Sequence, residues 1–275
     1  MKADLTLLYD EDCPLCRWYT KIFVKYNLLP ANGRISYAVY VNEHPKVVDS
    51  ELAQTKIACI NEDTHEVKYG IDSLLLILGQ RFRFIKLIGN FKPIHGLLQL
   101  LYLFISYNRK IIAPSKKKDL NCSCEPAKSF FWRIAFIAII SWITHVNVTF
   151  YFHHFFSNYL IQNPVSDLIL LVGQIVFQWI AFLLFKQENS YDYLGHLAFT
   201  SFLGSLVLLF FGLGLQLLAN IGVQTDFLAI SCYGITFCFM FIEHKRRISL
   251  KEWSSKLSMS WILFRVLIYP LVFQF

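Results

Sequence analysis

The chain has 275 residues, of which 16% are charged, 55% hydrophobic and 17% aromatic. A soluble globular domain carries about 25% charge, so an ordinary soluble enzyme is excluded, and so is a disordered chain, because apolar surface is ample. The average conceals a split. Residues 1–128 hold 18 Lys/Arg and 13 Asp/Glu, 24% of positions, whereas residues 129–275 hold 8 and 6, about 10%. The first part has the composition of a soluble domain and the second that of a membrane protein. The net charge of +7 draws on two clusters beside apolar segments, Lys116, Lys117, Lys118 and Lys245, Arg246, Arg247. It therefore reads as membrane orientation and not as nucleic-acid binding.

Residues 5–9 (LTLLY) are a short apolar run ending in Asp10, Glu11 and Asp12, which predicts a buried strand. Cys13-Pro14-Leu15-Cys16 follows at once. Leu15, Tyr19, Ile22 and Tyr26 recur at helical spacing, so residues 14–28 read as an amphipathic helix. Pro14 suits its first turn, where a missing N–H is no loss. Asn32-Gly33 marks a turn and residues 34–41 a second strand. Residues 47–54 suggest a short helix, 57–61 and 66–69 a hairpin, and 71–78 a helix stopping at Gly79. The order β-α-β-(α)-β-β-α, with CxxC on the first strand-to-helix turn, is the thioredoxin-like arrangement. Residues 94–107 form an apolar stretch of about 14, too short to span, and read as a core or interfacial helix. His95, Gln99 and Ser106 fit that reading.

The chemistry follows from the position of the cysteines. A thiolate, and not a thiol, attacks a disulfide. Cys13 at a helix N-terminus meets free N–H groups and the positive end of the helix dipole. Cys16, one turn on, can reach back and resolve a mixed disulfide. Arg17 adds positive charge, whereas Asp10, Glu11 and Asp12 pull the thiol pKa the other way.

The string Tyr9-Asp10-Glu11-Asp12-Cys13-Pro14-Leu15-Cys16 resembles the signature of the DCC-type thiol–disulfide oxidoreductases, whose core is Asp-Cys-x-x-Cys, here Asp12, Cys13 and Cys16. Tyr69-Gly70-Ile71-Asp72-Ser73 resembles that family's strand-to-helix step. The Asn108-Arg109 ending of the apolar stretch resembles its closing helix, and Cys122/Cys124 fall where the family often has a terminal cysteine. The resemblance covers about residues 4–125 and implies a dithiol activity that requires no cofactor and acts on a protein or small-molecule thiol or disulfide. Glu11 departs from it, standing where glycine is usual. No proline matches the one that faces the cysteines of thioredoxins proper.

Residues 114–128 (PSKKKDLNCSCEPAK) read as a basic linker between a domain at 1–113 and a membrane region at 129–275. Apolar runs at 130–152, 168–185, 194–219, 227–242 and 259–275 predict an all-α bundle of four to five spans, the fifth containing Arg265 and Pro270. Lys/Arg flank alternate loops, which puts residues 1–128 and the 243–257 loop in the cytoplasm. Arg265 is expected to snorkel to the interface, and Trp132, Tyr151 and Tyr159 to anchor there.

Other readings stay open. Cys13, Cys16, Cys122 and Cys124 could supply four thiolates to zinc. Under the redox reading, Cys122 and Cys124 are a possible secondary redox pair. Cys59 reads as an ordinary buried thiol. His145 and His196, in separate spans, are candidates for holding a haem or quinone, which would make the chain a transmembrane electron carrier. A membrane scaffold or transporter whose thioredoxin-like domain only binds a partner is a further alternative.

Overall fold

The structure is a computed structural model that describes residues 4–44, 46–116, 129–157 and 164–272. Side chains of residues 50, 158–169 and 269–275 are not described. Two compact units make up the chain, Met1–Trp132 and Arg133–Phe275.

In the first unit β1 (Leu5–Tyr9) is the hub of a four-stranded mixed sheet. The order is β2-β1-β3-β4, with β2 at Arg34–Ser36, β3 at Ala58–Asn61 and β4 at Val67–Tyr69. β1 runs parallel to β2 and antiparallel to β3, and β3 runs antiparallel to β4. Helices cover both faces, which is why β1 reads as a continuous apolar run and not as an alternating one. Leu5, Leu7 and Cys59 pack on one face with Leu29 and Ile77. Leu8, Ala58 and Ile60 pack on the other with Tyr37, Tyr40 and Val48.

The expected second strand is mostly helix. β2 ends at Ser36, and α2 (Tyr37–Glu43) begins there because Tyr37 and Tyr40, three apart, both reach the core. α1 (Pro14–Lys25) stops short of residue 28, where Asn27 turns into a left-handed conformation at φ 55°. α3 (Ser50–Thr55) starts on Asp49, whose carboxylate accepts from the N–H groups of Glu51 and Leu52. α4 (Ile71–Arg81) runs through Gly79 instead of stopping there, and α5 (Arg83–Gly89) follows. Gly70 precedes α4 at φ +64°, and a Cβ there would sit 3.2 Å from the Tyr102 ring. Ser73 donates to the carbonyls of Lys68 and Ile57, at 2.6 and 3.2 Å, tying α4 to the hairpin.

α6 (Lys92–Ile112) is longer than the stretch of 14 read from sequence. Its inner stripe is polar: Tyr102, Ser106 and Arg109, spaced four and three apart, lie on one face. Each satisfies backbone between α3 and β3, through the Ile57 N–H (2.8 Å), the Thr55 carbonyl and the Gln54 carbonyl (3.0 Å) respectively. Its outer face exposes Leu97, Leu100, Leu101 and Ile105. The unit ends at Trp132, whose ring stacks on Tyr107 and whose carbonyl accepts from Asn108.

The second unit is helical: α7 (Phe130–Phe155, its first turn in the first unit), α8 (Pro164–Leu184), α9 (Ser190–Asn220), α10 (Asp226–Leu250) and α11 (Lys256–Val272). Among the described residues three helices, α7, α9 and α10, are long and apolar enough to cross a membrane, and Leu170–Leu184 is a shorter apolar helix. The run expected to be short at 227–242 is thus a helix of 25 residues.

Several side chains are placed differently from expectation. Tyr151 is fully buried and donates to the Ala229 carbonyl at 2.8 Å, so it joins α7 to α10 and is no interfacial anchor. Arg265 turns inward, its Nε donating to Gln174 Oε1 at 3.0 Å, instead of snorkelling. Tyr159 lies outside the described residues. Arg247, counted from sequence as a flanking charge, is buried and paired with Glu243 at 2.7 Å. Arg133 likewise pairs with Asp192 at 2.9 Å.

Candidate functional site

β1 delivers the chain to Asp10, and a tight loop returns it into α1. The Asp10 carboxylate accepts from the Asp12 N–H at 3.0 Å, and the Cys13 N–H donates to the Asp10 carbonyl at 3.3 Å. An aspartate closing its own turn is a common device at such a step. Glu11 is not among the residues with positive φ, so the position where glycine was expected accommodates a side chain.

Cys13 is the N-cap of α1. Its backbone is extended (φ −93°, ψ 109°), and its sulfur accepts from the Cys16 N–H at 3.3 Å. Pro14, exposed, opens the helix. Both cysteines are free thiols and buried, Cys13 1% and Cys16 6% exposed. The Cys13 thiol is lowered to about 7, first by the hydrogen bond from the Cys16 side chain; burial opposes this, and the Cys16 N–H and Arg109 assist. Cys16 is raised well above the ordinary thiol range by that same hydrogen bond, by burial and by the charge on Cys13. One sulfur of the pair is thus poised to ionise near neutrality while the other keeps its proton.

Arg109 is the cation at this site, and it comes from α6. It is buried and pairs with Asp10 at 3.2 Å. Burial lifts the Asp10 pKa, and the charges of Arg109 and Lys110 lower it. Arg17, the cation favoured from sequence, is exposed on the solvent side of α1. Sequence reasoning noticed Arg109 only as part of an Asn-Arg ending. The signal available was its helical register with Tyr102 and Ser106, which marks a buried polar stripe. Asp12 is partly buried, and its carbonyl accepts from the Ser115 hydroxyl at 2.5 Å.

A cavity of about 290 Å³ opens beside the dithiol, lined by Cys16, Asp10, Tyr19, Tyr102, Ser106 and Arg109 among apolar neighbours. Cys13 is not part of its wall. Cys59 is fully buried in β3 and its thiol is pushed up to about 12 by burial, as suits a packing residue. Cys122 and Cys124 lie outside the described residues. Among the described residues no group of three His, Cys, Asp or Glu side chains could hold a metal.

The two histidines singled out in the helical unit have different surroundings. His196 is buried, and its Nδ1 lies 3.0 Å from an Arg247 N–H. Arginine only donates, so Nδ1 accepts and the ring carries its proton on Nε2. His145 lines a cavity whose wall does not include His196. A buried network that sequence reading missed lies in the same unit. The Tyr193 hydroxyl donates to Gln178 at 2.5 Å, and His244 lies 3.4 Å from Tyr193 and 3.3 Å from Ser258.

Compared with known proteins, the chain matches no family model, and no curated protein and no solved structure is significantly similar to it.

Proposed function

We propose that the chain is a membrane-tethered thiol–disulfide oxidoreductase of the DCC type, with Cys13 as attacking thiolate and Cys16 as resolving thiol. The observation that carries this reading is the place of Cys13 at the N-terminus of α1, where its sulfur accepts from the Cys16 N–H at 3.3 Å. Cys13 caps α1 with a pKa of about 7, while Cys16, three residues on, holds its proton. Cys59, a buried thiol away from a helix N-terminus, is by contrast only raised. The order β-α-β-α-α-β-β-α and the placement of CxxC at the first strand-to-helix step support a thioredoxin-like reading of the first unit.

The reaction balances with the dithiol alone as reductant. Cys13 thiolate attacks one sulfur of a substrate disulfide, forming a mixed disulfide and expelling the other sulfur as a thiolate. Cys16 then gives up its proton to the expelled substrate thiolate and attacks the Cys13 sulfur, which releases the second substrate thiolate and leaves a Cys13–Cys16 disulfide. Two electrons pass from the dithiol to the substrate. Arg109 and Asp10, paired at 3.2 Å, act as positioning residues beside the dithiol.

α7, α9 and α10, with α8 and α11 counted as further spans, make the tether of four to five crossings. The alternation of Lys/Arg between loops sets the dithiol unit on the cytoplasmic side, where a reducing milieu favours a cycling disulfide over a structural one.

The test uses the full chain in detergent. Cys16→Ser is expected to accumulate mixed disulfides through Cys13 with a small disulfide substrate, and Cys13→Ser is expected to abolish its reduction. A Cys13→Ser protein that reduces the substrate as fast as wild type refutes the proposal. Failure of Cys16→Ser to trap any mixed disulfide favours a domain that only binds a partner.

A further inference from the structure

The helical unit holds a second cavity of about 90 Å³ that the dithiol reading does not use. Among the polar side chains that line it are Ser141 and His145 of α7, Gln174 of α8 and Arg265 of α11. Ser141 and His145 are four apart, so they share one face. Ser141 Oγ, His145 Nδ1 and Gln174 Nε2 are buried atoms with no hydrogen-bond partner among the described residues. Buried polar groups in native proteins are nearly always satisfied, so three unsatisfied ones around one cavity are not an ordinary feature of packing.

Their chemistry is directional. Gln174 is 3% exposed, and its Oε1 accepts from Arg265 Nε at 3.0 Å. Because arginine only donates, that bond fixes the amide so that Oε1 meets Arg265 and the free donor is the NH₂ group. The guanidinium of Arg265 stacks on Trp261 at 5.2 Å, and no carboxylate pairs with it among the described residues. Ser141 can donate through its hydroxyl, and His145 through Nδ1. The polar side of the cavity is therefore rich in donors and carries one positive charge. The rest of the wall is mainly apolar, with Leu171, Ile175 and Phe264 among its residues, and it also includes Thr144, Ser201, Ser205 and Tyr233.

We propose that this cavity binds an aliphatic monocarboxylate, with the carboxylate held between Arg265, Gln174, Ser141 and His145 and the hydrocarbon against the apolar wall. A carboxylate offers about four acceptor positions and one negative charge, which matches the donors and neutralises Arg265. A neutral carbonyl would leave the charge uncompensated in an apolar bundle. The volume admits the headgroup and a short hydrocarbon segment. The same chemistry has two sources, a soluble short-chain acid or a free fatty acid of the bilayer, and the experiment separates them. The proposal does not depend on the dithiol activity.

The test is equilibrium binding of radiolabelled octanoate and palmitate to the full chain in nanodiscs of neutral lipid, with the matching methyl esters as competitors. Saturable binding of octanoate alone assigns a soluble acid, and tight binding of palmitate assigns the bilayer source. In either case the ester is expected to compete about tenfold more weakly or worse, because it loses the charge-assisted bonds. Arg265→Gln is expected to lower affinity by about tenfold or more and Ser141→Ala by a few-fold. Arg265→Lys, which keeps the charge, is expected to retain more binding than Arg265→Gln. No saturable binding of either acid overturns the proposal, as does an ester that competes as well as its acid. Should Arg265→Gln fail to fold, the ester comparison on the wild-type chain and the Ser141→Ala variant still decide the matter.

Discussion

The sharpest expectation concerns Cys16→Ala and the pKa of Cys13. In the wild-type chain the Cys13 thiol is lowered from 9.0 to about 7, and the largest cause is the hydrogen bond from the Cys16 side chain. Alanine removes that donor. It leaves the backbone N–H of residue 16, 3.3 Å from the sulfur, and the charge of Arg109, both set against a burial that raises the pKa. The titration midpoint is therefore expected to rise by about one unit or more, which is about 1.4 kcal/mol of lost preference for the thiolate. At pH 7 the thiolate fraction falls from about half to about a tenth or less. The assay is the pH dependence of Cys13 alkylation by iodoacetamide in the full chain, read on the Cys13 peptide by mass spectrometry. Burial of the sulfur scales the rate at every pH and leaves the midpoint alone. Serine at position 16 keeps a donor, so its midpoint should fall between those of wild type and alanine. A wild-type midpoint at or above about 8.5, or an alanine variant whose midpoint does not move, would refute the account of how the site lowers this thiol.

Three further outcomes follow from the same structure. Cys13 has a folded pKa below its unfolded value of about 8.5, so its contribution to stability is complete above that pH and is lost as pH falls through about 7. Cys16 and Cys59 are raised and act in the opposite sense, losing their contribution as pH climbs past about 8.5. Cys13 by itself should add about 1 kcal/mol between pH 7 and 8.5, partly offset by Cys16 and Cys59, so the reduced chain should gain a fraction of about 1 kcal/mol and turn over above; chemical denaturation of Cys13→Ala should show no such gain. Arg109→Met leaves the Asp10 carboxylate buried and unpaired and is expected to cost about 3–5 kcal/mol, whereas Asp10→Leu with Arg109→Met should recover much of it. A double variant as unstable as the sum of the two singles would show that the pair does not act as one. Gly33→Ala would put a Cβ 2.8 Å from the Leu5 carbonyl and 2.6 Å from the Pro30 ring, at the join of β1 and β2. A loss of about 1–3 kcal/mol is expected from such overpacking, and a thermal melt equal to wild type would contradict the close approach.

The first strand, the CxxC helix, the hairpin and the apolar helices were legible in the sequence because each rests on local pattern. An unbroken apolar run before Asp10 makes a strand covered on both faces, and Pro14 after Cys13 starts a helix whatever surrounds it. Residues 34–41 were not legible. Val39 and Val41 favour a strand, but Tyr37 and Tyr40 are buried on the sheet face, and their spacing of three is met by a helix. Gly79 misled for the opposite reason, since a glycine that often ends a helix here lies inside one and leaves room for the Lys86 side chain 3.0 Å from its Cβ position.

Composition and order alone thus determined that a charged α/β head precedes an apolar helical tail, and that a dithiol stands at the first strand-to-helix turn. These are local properties, set by residue type and by periods of two and 3.6. Only the tertiary structure decided which charges meet. It brought Arg109 to Asp10 across 99 positions of the chain, left Arg17 in solvent, and turned Arg265 to Gln174 across 91. The energy of a buried charge depends on what faces it from elsewhere in the fold, and no local pattern records that.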